Sequence, residues 1–103
     1  MGAEFDIARI DDVIHGRMRL GIMAYLAGAG SAEFNELKAK LEATGGNLSV
    51  HLRKLEDAHY IEIEKGYAGR KPLTRISLTK AGRKAFIEYL NAMSQLVNGA
   101  AKE

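Results

Sequence analysis

The side chains with reactive or ligating groups are few and scattered. His15, His51 and His59 supply the imidazoles, and no two stand in a His-x-x-x-His or similar ligand spacing. With no cysteine in the 103 residues, a thiolate metal site, a disulfide framework and a cysteine nucleophile are excluded. Asp11 and Asp12 are adjacent carboxylates, but neighbouring helical side chains diverge and no acid/base partner accompanies them. Thr44-Gly45-Gly46 lacks the lysine and hydroxyl that complete a phosphate-binding loop. The expectation is a chain that is not an enzyme and carries no catalytic residue, metal or cofactor. Its abundant chemistry is cationic. Net charge is +2, yet residues 1–43 sum to −2, residues 44–84 to +5 and residues 85–103 to −1. Arg53, Lys54, Lys65, Arg70, Lys71 and Arg75 all lie in the middle segment. Positive charge gathered in one stretch is the footprint of a face that meets a polyanion.

Those cations need elements to hold them. At 103 residues, 47% hydrophobic and 27% charged, the chain suits one folded domain with a single core. Ile7, Ile10, Val13 and Ile14 recur at spacings of three and four, so a first helix is expected over about 5–14, interrupted by Gly16. A second, about 17–27, turns Leu20, Met23 and Leu26 inward and stops at Gly28-Ala29-Gly30. A third begins near Asn35, a good N-cap, and buries Leu37 and Leu41. Thr44 caps a fourth, about 45–58, with Leu48, Leu52 and Leu55 along one face. The period then changes. Tyr60-Ile61-Glu62-Ile63-Glu64 and Arg75-Ile76-Ser77-Leu78 alternate as half-buried strands do. Between them Gly66-Tyr67-Ala68-Gly69-Arg70-Lys71-Pro72 reads as the long basic tip of a hairpin. A last helix is expected over about 80–97 with Thr79 at its N-cap, followed by a fraying tail.

The run Gly46-Asn47-Leu48-Ser49-Val50-His51-Leu52-Arg53-Lys54-Leu55-Glu56, then Tyr60-Ile61-Glu62-Ile63, resembles the recognition helix and first wing strand of MarR/ArsR-like winged helix-turn-helix transcriptional regulators. Leu78-Thr79-Lys80-Ala81-Gly82-Arg83 is similar to the junction that ends their wing, and the resemblance covers roughly residues 15–97. It implies a mainly α fold with a small β-hairpin wing (α+β), as one winged-helix DNA-binding domain over residues 1–103. It also implies a cytoplasmic homodimer that binds double-stranded DNA sequence-specifically and regulates transcription. Thr44, Gly46, Asn47, Ser49, Val50, Arg53 and Lys54 would then serve the recognition helix in the major groove. Lys65, Arg70, Lys71 and Arg75 would serve the wing on the adjacent minor groove or backbone. Helix geometry agrees independently. With the three leucines inward, Gly46, Ser49, Val50 and Arg53 face outward, and His51 falls beside the buried face. His59 stands where the family generally has glycine, which implies a left-handed or strained position there.

The last helix carries Phe86, Tyr89, Leu90, Met93, Leu96 and Val97, more large apolar groups than a small core requires. With Ile7, Ile10 and Ile14 they form the expected dimer interface, matching the use of terminal helices in the family resembled. No apolar run approaches the ~18–20 residues of a membrane span, so no membrane partner is expected. The alternative function is a winged helix used as a protein–protein interaction module, against which the outward Ser49, Val50 and Arg53 face and the basic wing argue. No polar cluster marks a small-molecule effector.

Overall fold

The computed structural model describes residues 6–101. After a 3-10 turn at Ile7–Arg9 come α1 (Arg17–Ala29), β1 (Ser31–Glu33), α2 (Phe34–Lys40), α3 (Gly45–Asp57), β2 (Ile61–Ala68), β3 (Lys71–Leu78) and α4 (Lys80–Ala101). The three strands form one antiparallel sheet in the order β1-β3-β2. Four helices against a hairpin wing is the expected fold class.

Each element follows from local chemistry. Gly30, at a φ of 82°, ends α1 and returns its N–H to the Leu26 carbonyl at 2.7 Å. In α3 the Thr44 Oγ1 accepts the Asn47 N–H at 3.1 Å, the expected cap. The helix ends at His59, which adopts a φ of 66° as its glycine-like position required. There the His59 N–H donates to the Glu56 carbonyl and the Tyr60 N–H to the Leu55 carbonyl, closing a Schellman turn. Thr79 caps α4 by accepting the Gly82 N–H at 2.9 Å, while its own hydroxyl donates to the His59 carbonyl at 2.7 Å. One side chain thus joins the end of α3 to the start of α4. Gly82 is obligatory here, because a Cβ at that position would lie 2.1 Å from the Tyr60 carbonyl oxygen.

The core is apolar throughout. Ile14, Ile22, Met23, Leu26, Leu37, Leu48, Leu55, Ile61 and Ile76 are fully enclosed, and Ile10, Leu52, Phe86 and Tyr89 complete it. The chain is nevertheless elongated, 58 × 25 × 21 Å, with a radius of gyration of 15.6 Å. A compact chain of this length would have ~13 Å. The excess reflects α4, whose 22 residues run on past Leu96, the last of them packed against the core.

Five sequence-based expectations need correction. Residues 6–14 are not one continuous α-helix; only Ile7–Arg9 form a single 3-10 turn. The Asp6 side chain accepts the Ala8 N–H, and Asp11 Oδ1 accepts the N–H groups of Val13 at 2.8 Å and Ile14 at 3.3 Å. These local turns outcompete the helix while still delivering Ile10 and Ile14 to the core, so the spacing was right and the conformation wrong. Residue 5 lies outside the described residues. The cap of α2 is Glu33, paired reciprocally with Glu36, rather than Asn35. Strand β1 was not expected, since three residues are too short to show a period. The long hairpin tip is mostly strand. Pairing continues to Ala68 opposite Lys71, leaving a two-residue turn with Gly69 at a φ of 66°. Finally, α4 continues through the Gly/Ala-rich tail to Ala101 instead of ending at 97.

Candidate nucleic-acid interface

Burial of Leu48, Leu52 and Leu55 fixes the rotation of α3, and the remaining positions divide into three strips. Ser49, Arg53 and Glu56 lie on the wing side. Gly46 and Val50 point furthest out, with Val50 55% exposed. Asn47, His51 and Lys54 lie on the far side. Between the wing-side strip and the sheet runs an open groove of about 640 Å³, lined by Phe34, Ser49, Leu52, Arg53, Glu56, Ile63, Lys65 and Thr74. Its floor is apolar and its rim carries two cations and one carboxylate. Glu56, the carboxylate of this rim, was not anticipated as a lining residue.

Strand register sorts the wing residues. Cross-strand partners share a face, and Lys65 pairs with Thr74 as Ile63 pairs with the buried Ile76. Lys65 therefore lies on the face that meets α3. Arg75 pairs with Glu64 on one side and with Glu33 on the other, which puts it on the reverse face. There its Nη2 lies 3.8 Å from Glu33 Oε2, and its Nη1 donates to Ser31 Oγ at 3.4 Å. Arg75 was expected to serve the basic wing; the register instead sets it on the face of the sheet away from α3, beside Glu33 of β1. Arg70 is at the exposed turn, and Lys71 stands beside it, opposite Ala68.

Among the described residues, Arg75–Glu33 is the ion pair within 4.0 Å. Arg53, Lys54, Lys65, Arg70 and Lys71 are exposed and have no described carboxylate within that distance. Exposed cations left uncommitted on one side of a small domain are suited to phosphate oxygens. Thr44, Gly46 and Asn47, at the first turn of α3, are exposed as well.

His51 is half-buried, and its Nδ1 lies 2.9 Å from Arg19 Nη1. Burial first, then Arg19 and Lys54, hold its pKa below the ordinary 6.5. Arg19 is itself anchored, its Nε donating to the Val13 carbonyl at 2.5 Å. Elsewhere Tyr60 donates to Asp11 Oδ2 at 2.5 Å, and burial plus this carboxylate push the phenol up to about 12. Asp11, one of the adjacent carboxylates, is thereby a structural acceptor. His15 Nδ1 lies 2.8 Å from the Tyr89 hydroxyl.

The nine residues expected at a dimer interface separate into two groups. Ile10, Ile14, Phe86 and Tyr89 are buried in this chain's own core, and Met93 and Leu96 pack half-buried against it. Ile7, Leu90 and Val97 remain exposed, and Ile87, which sequence reading passed over, joins them at 52% exposure. Periodicity alone cannot separate the core-facing stripe of α4 from the stripe beside it.

Comparison with known proteins places this geometry. The family model described as winged helix DNA-binding domain matches residues 18–97. An uncharacterized protein of Methanocaldococcus jannaschii is 39% identical over 84 residues, covering 82% of this chain and 91% of that protein. A transcriptional regulator homologue from Pyrococcus horikoshii OT3 superposes with a TM-score of 0.84 at 28% identity, over 90% of this chain and 93% of that one. A structure described as a transcriptional regulator of the MarR family, from Enterococcus faecalis V583, has the same fold. Its TM-score is 0.68 at 23% identity, over 93% of this chain and 82% of that one. Among the described residues no helix is long and apolar enough to cross a membrane. With α3 standing beside a basic hairpin, and the family model spanning everything from α1 into α4, the chain belongs to the winged helix DNA-binding domain family.

Proposed function

We propose that this protein is a cytoplasmic transcriptional regulator that binds duplex DNA as a homodimer. The observation that carries the reading is the set of uncommitted cations (Arg53, Lys54, Lys65, Arg70 and Lys71) around an exposed α3 whose outermost residues are Gly46 and Val50. Small residues at the leading edge let the helix enter a major groove, where Ser49, Val50 and Arg53 meet base edges. Lys65 and the Arg70 and Lys71 tip then reach the neighbouring backbone or minor groove, where arginine's planar head suits a narrow, negative groove. Description of the Pyrococcus protein as a transcriptional regulator homologue supports the regulatory role.

The second subunit is held by α4. Ile87, Leu90 and Val97 form an exposed apolar stripe with Ser94 at the intervening position, spacings of three and four that match a helix–helix seam. Sedimentation at micromolar protein should give about 23 kDa, twice the 11.3 kDa chain, and Leu90→Lys should return it to the monomer mass. A twofold dimer would place half-site centres ~34 Å apart.

The direct test is selection of bound sequences from random duplex DNA by the purified protein. A recovered palindrome whose affinity falls steeply between about 50 and 200 mM salt supports the reading. Recovery of no preferred sequence, or binding that is flat over that range, overturns it in favour of a protein-interaction module.

A further inference from the structure

On the side of α3 away from the wing, Gly16, Arg17, Met18, Arg19, Asn47 and His51 surround an open concavity of about 310 Å³. Its two walls are the first turn of α1 and the far strip of α3. The described cations near it are Arg17, Arg19 and Lys54, and no described ion pair neutralises them. Arginine can only donate hydrogen bonds, so the 2.9 Å contact from Arg19 Nη1 makes His51 Nδ1 an acceptor. The imidazole proton then belongs on Nε2, a tautomer fixed by the neighbouring guanidinium. Arg19 is in turn held by the Val13 carbonyl at 2.5 Å and the Asp12 carbonyl at 3.4 Å. The concavity thus gathers donors (Arg17, the Asn47 amide and the His51 N–H) beside the anchored Arg19.

Resting on the DNA-binding reading above, we propose that Arg17, Asn47 and His51 form a second backbone clamp that takes a DNA phosphate on the side of the recognition helix opposite the wing. Arg19 is its positioning residue. A helix seated in a major groove has a phosphate strand on each flank. Lys65 and the tip serve one strand, and this corner serves the other, so the protein grips both walls of the groove it reads.

The test uses a duplex recovered by selection, with single phosphates replaced in turn by neutral methylphosphonates. Wild-type protein should lose roughly tenfold in affinity at sensitive positions on both flanks, the size of one charge-assisted contact. Arg17→Ala should become indifferent at the far-flank position only, and Lys65→Ala at the wing-flank position only. Each should shallow the log–log salt slope by about one. His51→Gln, which keeps an N–H donor, should retain the far-flank response, while His51→Leu should lose it. Nitrogen NMR of the free protein should show the Nε2–H tautomer, mixed with the other form in Arg19→Gln. Arg17→Ala with the wild-type phosphate profile, Arg17 and Lys65 variants silencing the same phosphate, or an Nδ1–H tautomer in the wild type overturns the clamp while leaving DNA binding intact. Failure to select any duplex overturns both.

Discussion

The N-terminal segment and the α3–wing face contain the same kinds of polar side chain and use them in opposite ways. Along the first, Asp11 caps its own turn and accepts from Tyr60, His15 meets Tyr89, and Arg19 spans the Val13 carbonyl and His51. Each group is committed to a named partner, and together they strap residues 6–16 over the core. Across the second, Arg53, Lys54, Lys65, Arg70 and Lys71 stand exposed without a described carboxylate partner. Polar groups that find partners within the chain specify its shape. Those held out by rigid elements without partners remain available to a ligand.

The largest expected effect falls where the two regions meet. Gly82→Ala would drive a Cβ to 2.1 Å from the Tyr60 oxygen and 2.9 Å from its carbonyl carbon, both backbone atoms that cannot yield. Overpacking of that kind should cost about 3 kcal/mol or more, read as a melting temperature lowered by more than ~10 °C. A variant that melts like the wild type would mean that the α3–wing junction and α4 are not locked as described.

Tyr60→Phe should come next, at roughly 1.5–3 kcal/mol, by leaving Asp11 Oδ2 without its donor. It also has a pH signature. Because the folded pKa is raised from 10.0 to about 12, the contribution is fully present below pH 10 and is lost as pH rises from 10 to about 12. Denaturant titrations across that window should show a steeper decline in the wild type than in the phenylalanine variant, where the raised phenols of Tyr25 and Tyr89 still titrate.

On the face made of uncommitted groups, Lys71→Ala should leave melting unchanged and weaken all duplexes by a similar factor. Its salt slope should be shallower by about 1 for each phosphate that the lysine no longer neutralises. A change in base preference would instead give Lys71 a reading role.

The smallest effect concerns His51. Its folded pKa lies below the ordinary 6.5, chiefly through burial, so the unfolded chain takes up a proton first as pH falls. Stability from this group is present above pH 6.5 and is lost as pH drops toward the folded value. Urea unfolding between about pH 7 and 5 should show this loss in the wild type and a smaller one in His51→Gln.

These contrasts also explain what sequence reading can reach. The α3 helix was legible because capping Thr44, the leucine stripe and glycine-like His59 all agree on its bounds. Its outward residues followed from rotation alone. The position of Arg75 beside Glu33 was not legible because it depends on pairing between β3 and the three-residue β1, a long-range contact with no local period. The isoleucines of residues 7–14 betrayed their spacing but not the Asp6 and Asp11 turns that replace the helix. The corner formed by Arg17, Arg19 and His51 joins residues more than thirty positions apart, and no motif spans that distance.

The most direct test of the division between committed and uncommitted groups measures two variants by two readouts at one fixed salt concentration: thermal melting, and affinity for a panel of single-base substitutions in the selected site. Arg53→Ala should melt like the wild type while weakening the preferred site by ~1–3 kcal/mol, with preference relaxed at one base pair per half-site. Tyr60→Phe should melt lower while keeping the wild-type order of preference across the panel. If Arg53→Ala weakens every sequence equally, or if Tyr60→Phe reshuffles base preference without loss of stability, α3 does not read DNA through its outward face as described.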